Sequence, residues 1–251
     1  MIHEMGYRFF ISVILVLLTV GQAFAGPPLL TDDPDTPGDK HWEINVAVTL
    51  DKNQTESTYE TPILDLNYGI GDNIELTYEV PWLIHHEQDT GTQSGLGNSV
   101  VAVKWRFLDE ELNGVNMSVY PQFEFNPPTT SADRGLVDKG MNLLLPVEVS
   151  KKFGPVWVTG EFGYTYRQNF SDEWLYGLSS GYEIRENLTI LGEIHGGATK
   201  EFKDNEVVFN IGTQWDFTKK YGLLASAGRS FNRVTSDEPN LLIYLGLQIR
   251  L

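Results

Sequence analysis

The chain has 251 residues, enough for one barrel domain or two ordinary soluble ones. With 18 Lys and Arg against 34 Asp and Glu it carries a formal charge of −16, which argues against a nucleic-acid partner, since phosphates need a basic face. The absence of cysteine excludes a disulfide framework, a thiolate metal site and a cysteine nucleophile, and a mean hydropathy of −0.22 excludes a helical membrane protein but not a barrel, whose strands average a polar and an apolar face.

Residues 1–25 read as a cleaved leader. Arg8 lies in the basic start, residues 9–20 form an apolar run of about a dozen residues, and Ala23-Phe24-Ala25 gives the small-x-small cleavage pattern. The run is shorter than the roughly 20 residues that a membrane-spanning helix requires. Cleavage removes Glu4 and Arg8 together, so the mature charge stays at −16 and the mature chain begins at Gly26. Residues 26–40, GPPLLTDDPDTPGDK, are rich in proline and aspartate and form an irregular lead-in. Asp32, Asp33 and Asp35 could bind a cation there, although such a run is more often a solvated turn.

Residues 41–251 form the barrel domain. Period-two alternation broken by turn chemistry gives about twelve strands, an even number as bacterial barrels require. They fall near residues 41–50, 58–69, 73–85, 97–108, 115–126, 140–151, 155–168, 173–184, 188–199, 206–218, 221–232 and 240–251. The third is the cleanest: Ile74, Leu76, Tyr78, Val80 and Trp82 face one way, Glu75, Thr77 and Glu79 the other. In the last, Leu241, Ile243, Leu245, Leu247, Ile249 and Leu251 share a side up to the final residue. An open apolar edge there would aggregate, whereas a closed barrel has no edge.

The connections alternate in length. Tight turns at 71–72, 151–154, 186–187 and 219–220, with a longer one at 109–114, are separated by polar loops at 51–57, 86–96, 127–139, 168–172, 200–205 and 233–239. Short periplasmic turns and longer outer loops are the outer-membrane pattern. Trp42, Tyr68, Trp105, Phe107, Trp215, Phe217 and Tyr221 fall near periplasmic strand ends, and Trp82, Phe123, Phe125, Tyr164, Tyr166, Trp174 and Tyr176 near outer ends. This reads as two aromatic girdles around an aliphatic band. The competing reading, a soluble β-sandwich, would not need aromatics sorted by strand end.

On this register the lumen carries Glu75, Glu79, Lys104, Arg106, Glu124, Glu148, Glu161, Glu183, Glu193, Asp216, Arg167, His195 and Arg250. Such charges either select solutes or pair and solvate the interior. Pro81, Pro121 and Pro146 lie inside strands, where each removes a ladder donor. They mark either a weakened wall seam, through which an apolar solute could leave sideways, or a structural bulge. Four mature histidines, His41, His85, His86 and His195, come with no HExxH or GxSxG element, so no catalytic residue, metal site or cofactor is assigned. A barrel hydrolase using His195 and a neighbouring serine remains an alternative, as does a structural or adhesive barrel with a plugged lumen.

Several stretches resemble known sequences. Gly246, Ile249 and Leu251 match the C-terminal assembly signal of outer-membrane barrels, with Leu251 where that signal usually has Phe. GPPLLTDDP followed by HWEINVA, then IELTYEVPWL and GLGNSVVAVKWRFLDEE, resemble the putative outer-membrane proteins of the meta-pathway of phenol degradation. VYPQFEFNPPTTSADRGL stands where that family has a Pro-Thr-Gly loop, but Gly is missing after Pro128-Thr129. The resemblance implies passive uptake of small, aromatic or apolar solutes across the outer membrane of a Gram-negative bacterium. It implies as partners the membrane lipids, periplasmic chaperones and the barrel assembly machinery.

Overall fold

The computed structural model describes residues 26–202, 205–231 and 240–251. The leader and the 233–239 loop lie outside the described residues. Twelve antiparallel strands close into a barrel. They are β1 (Trp42–Lys52), β2 (Glu56–Ile70), β3 (Ile74–Glu87), β4 (Gly91–Leu96 and Ser99–Leu108), β5 (Asn116–Val119 and Gln122–Phe125), β6 (Met141–Phe153), β7 (Val156–Arg167), β8 (Glu173–Arg185), β9 (Leu188–Thr199), β10 (Asn205–Asp216), β11 (Tyr221–Ser230) and β12 (Leu241–Arg250). Each pairs with its sequence neighbour, and β12 returns to β1, with Glu43 opposite Arg250 and Lys52 opposite Leu241. Closure leaves no edge, which is why an apolar strand can end the chain.

The alternation is expressed as a wet inside and an apolar outside. Val103, Leu178, Ile190, Ile211 and Leu245 stay exposed on the outer surface, while Asn45, Glu148, Thr159 and Gln248 are buried within. In water that arrangement would be inverted; lipid as the surrounding solvent makes it stable. The girdles are contacting rings. Trp42 and Tyr68 lie 4.7 Å apart and Trp215 and Phe217 6.0 Å apart at one end, with Tyr164 and Trp174 at 4.5 Å and Phe123 and Phe125 at 6.0 Å at the other.

Local differences from the sequence reading have physical causes. The expected 86–96 loop is mostly strand: Gly91–Leu96 pairs with Trp82–Glu87, and only residues 88–90 turn. This extension is polar and glycine-rich on both faces, so it carries no alternation. The turn at 109–114 contains α1 (Glu110–Asn113), opened by Asp109, whose carboxylate accepts the Glu111 N–H at 2.9 Å, and closed by left-handed Gly114. Pro121 and Pro146 do not bulge the wall. β5 and β6 keep one register on both sides of them, and Tyr120 still donates to the Pro146 carbonyl at 3.3 Å. Val103 likewise donates to the Pro121 carbonyl at 3.1 Å. Each proline omits one bond and keeps its counterpart. Extra residues enter instead at Thr61-Pro62 in β2 and beside Gly97 in β4, where the Gly97 N–H reaches the Pro81 carbonyl at 2.9 Å.

Candidate functional site

The lead-in, residues 26–40, is not a solvated turn: it runs inside the barrel as a strap. Two wall carboxylates hold three successive backbone donors. Glu193 of β9 accepts from Leu30 and Thr31 N–H, both at 2.8 Å, and Glu161 of β7 accepts from Asp32 N–H at 3.1 Å. The Ser226 hydroxyl of β11 donates to the Pro28 carbonyl at 2.6 Å. Leu29 packs with Trp157 and Leu191 in the small apolar core of the lumen.

The strap aspartates answer the two central wall cations. Lys104, only 3% exposed, sits 2.9 Å from Asp32 and 3.9 Å from Glu75, with its ammonium 4.6 Å from the Tyr120 ring centre. Arg106 bonds Asp35 at 3.1 Å and the Asp72 carbonyl at 2.7 Å. Asp33 accepts the Asp35 N–H at 2.7 Å. The three aspartates are thus spent on ion pairs and on the strap's own turns, and no metal-ligand grouping occurs among the described residues. At the periplasmic rim Lys40 N–H donates to the Gly69 carbonyl at 3.0 Å. Asp39 accepts from Gly71 N–H at 2.9 Å, and that bond, helped by Lys40, holds its carboxyl below the usual range. Two wall glycines make room. A β-carbon at Gly177 would lie 2.4 Å from the Thr31 hydroxyl, and one at Gly69 would lie 1.8 Å from the Gly38 carbonyl oxygen.

On the β1–β3 side a polar relay lines the same space. Tyr120 donates to Thr77 at 2.7 Å, Thr77 to Asn67 at 2.7 Å, and Asn67 and Asn45 both donate to Asp65, at 3.1 and 2.9 Å. Glu148 receives the Ser118 hydroxyl. Toward the outside Glu124 is bonded by Asn98 and Asn142, and Arg167 pairs with Glu173 at 2.6 Å. Toward the periplasm Asp216 pairs with Arg250 at 2.9 Å, and Glu183 with Lys152 at 2.5 Å. Glu79 lines both the outer mouth and the middle cavity. His195 is opposite Gly177, and its Nε2 is buried without a hydrogen-bond partner among the described residues.

Three cavities follow one another along the axis. An outer mouth of about 480 Å³ shares Glu60, Glu79 and Val100 with a middle cavity of about 340 Å³. The middle cavity meets an inner vestibule of about 600 Å³ at Asp35 and Thr36, which are strap residues. The strap therefore stands between the outside and the periplasm. Sequence reading missed it because its partners lie up to 198 residues away. The available signal was the pair of inward cations, Lys104 and Arg106, together with a preceding segment that carries four aspartates and no apolar alternation of its own.

No family model matches the chain, and no curated protein matches it. Solved structures do. An outer membrane channel from Pseudomonas putida F1 aligns over 89% of this chain and 100% of its own length, with TM-score 0.72 and 12% identity. The KdgM porin covers 82% of this chain and 98% of itself at TM-score 0.58 and 12% identity, and the NanC porin 83% and 100% at 0.58 and 10%. At such identities the likeness is one of fold. The chain is a twelve-stranded barrel of the outer-membrane type, and the similar barrels are channels and porins.

Proposed function

We propose that the protein is a passive, non-enzymatic channel for small solutes, aromatic or apolar ones among them. The observation that carries this reading is the row of cavities that share lining residues, with strap residues Asp35 and Thr36 between the middle and inner ones. Leu29, Leu30, Ile63, Val100, Leu144, Leu175 and Tyr244 give the middle cavity apolar surface between its carboxylates. A barrel serving only as a scaffold would gain nothing from leaving that space unfilled. One similar barrel is described in complex with disordered oligogalacturonate. A cavity lined by so many carboxylates repels a polyanion, so that ligand is not carried over to this chain. Gly246 and Ile249 lie on the strand that closes the wall and Leu251 directly follows it, where assembly machinery would meet the last unpaired edge.

A second reading, sideways exit into lipid, has its own observation. Asn142 and Arg167 line the outer mouth and also a groove of about 420 Å³ on the lipid side with Phe123, Met141, Leu143 and Tyr166. Planar-bilayer recording of the purified barrel, with and without phenol-like solutes, tests the channel. Conductance steps that a millimolar aromatic reduces are expected. A barrel that stays silent even after removal of the strap overturns the proposal. Retained aromatic uptake with ion conductance unaffected by the aromatic favours sideways exit.

A further inference from the structure

The middle cavity has an imbalance that the side chains alone do not settle. Carboxylates from the strap, from β1 to β3 and from β7 line it, and Lys104 is the one cationic side chain among its described lining residues. Lys104 is already committed to Asp32 and Glu75. Gly26 and Pro27 line the same cavity. Gly26 is buried, its N–H donates to the Thr31 carbonyl at 3.1 Å, and its carbonyl accepts the Leu29 N–H at 3.0 Å. This tight loop brings the Asp32 carboxylate beside Gly26: a β-carbon there would lie 3.3 Å from Asp32 Oδ1. The first residue of the mature chain is therefore seated against a carboxylate in the lumen.

We infer that processing supplies the missing cation. Water, delivered by a leader peptidase, cleaves the Ala25–Gly26 peptide bond. Ala25 leaves with the new carboxylate, and the Gly26 nitrogen takes up protons to become an ammonium, since an α-amino group has a pKa of about 8. That ammonium pairs with Asp32 while keeping its bond to Thr31, and it shares with Lys104 the charge of the acidic wall. Leader removal thereby creates the group that seats the strap, and the channel closes only after it has been processed. The inference rests on the reading of residues 1–25 as a cleaved leader.

Two measurements separate the leader from the latch. N-terminal sequencing of the chain purified from outer membranes must begin at Gly26; any other start overturns the inference whatever the strap does. The mature chain is then refolded in detergent micelles with Gly26 either free or acetylated, in a Thr31→Cys background whose thiol is the chain's only one. Thr31 is fully buried in the docked strap, so labelling by a maleimide reports undocking. Acetylation retains the N–H that bonds Thr31 and removes the charge, with the acetyl group standing where the uncleaved chain has the Ala25 acyl group. The acetylated chain is expected to label roughly tenfold faster or more, as loss of a buried ion-pair partner implies, and to conduct more. Equal labelling overturns the inference. Should the acetylated chain fail to refold, an alanine added before Gly26 moves the ammonium by about 3.8 Å. Unchanged labelling of that extended chain overturns it equally.

Discussion

Lys104 concentrates at one residue the electrostatics of the lumen. Burying an ammonium is costly unless it is paired, and here Asp32, Glu75 and the Tyr120 ring face surround it. Lys104→Met keeps the length of the stem and removes the charge, leaving Asp32 and Glu75 facing each other. Breaking such a pair costs about 3–5 kcal/mol, charged to strap docking rather than to the wall, whose ladder is untouched. The expected result is a larger open conductance with the heat-resistant barrel mobility on gels retained. Asp39 acts at the periplasmic rim and has the opposite character, being exposed. Its carboxyl is lowered by the Gly71 N–H and by Lys40, so its contribution is present above the ordinary carboxylate pKa and is lost as pH falls through the lowered value. Hydrogen exchange at Gly71 N–H, corrected for its intrinsic pH dependence, should stay protected through the ordinary carboxylate range and open only as pH falls below it. Asp39→Asn should remove that acid transition.

Between elements, the legibility of this chain follows the physics of each. The twelve strands were readable because lipid outside and water inside impose opposite demands on successive residues, and that parity survives every turn. Strand β3 carries it from Ile74 to Trp82 without a fault. Gly91–Leu96 is Gly-Thr-Gln-Ser-Gly-Leu, so it has no alternating apolar side to betray it as strand. Pro121 and Pro146 suggested a bulge by type alone, but the β5–β6 register runs unchanged past both, and each proline's own carbonyl keeps a donor. The strap was illegible for another reason. Its residues form no repeating pattern, and what fixes it is a set of carboxylates, hydroxyls and gaps scattered over β2 to β11. Gly177 is one of those gaps. Gly177→Val places methyl groups where the Thr31 side chain lies, with a β-carbon 3.1 Å from Thr31 Cβ, and Cβ cannot withdraw without moving the backbone N–H that is bonded to Glu193. A valine suits a strand, so the barrel should form normally while Thr31→Cys in that background labels readily. Labelling no faster than with Gly177 would show that the strap docks elsewhere.

For the whole molecule, the charge of −16 and the placement of that charge are separate facts. The wall puts Glu60, Asp65, Glu75, Glu79 and Glu161 toward one cavity and gives it Lys104 as a counterweight. An interior of this kind concentrates cations and repels anions over a Debye length of about 8 Å at physiological salt. The channel should therefore pass potassium in preference to chloride, read as the sign of the reversal potential in a potassium chloride gradient, with the preference weakening as salt rises. Deleting residues 26–39 gives a sharper test. That stretch holds four aspartates, Asp32, Asp33, Asp35 and Asp39, and no lysine or arginine, so the charge moves from −16 to −12. The same deletion frees Lys104 and Arg106 from Asp32 and Asp35. The strapless barrel should thus conduct severalfold more current yet discriminate less between the two ions. Simple widening alone would lower selectivity without involving those two cations. Adding Lys104→Met and Arg106→Gln to the deletion should then return the cation preference while leaving the larger conductance in place. If the preference stays low in that variant, pore width and not the exposed pair of cations sets the selectivity of the open barrel.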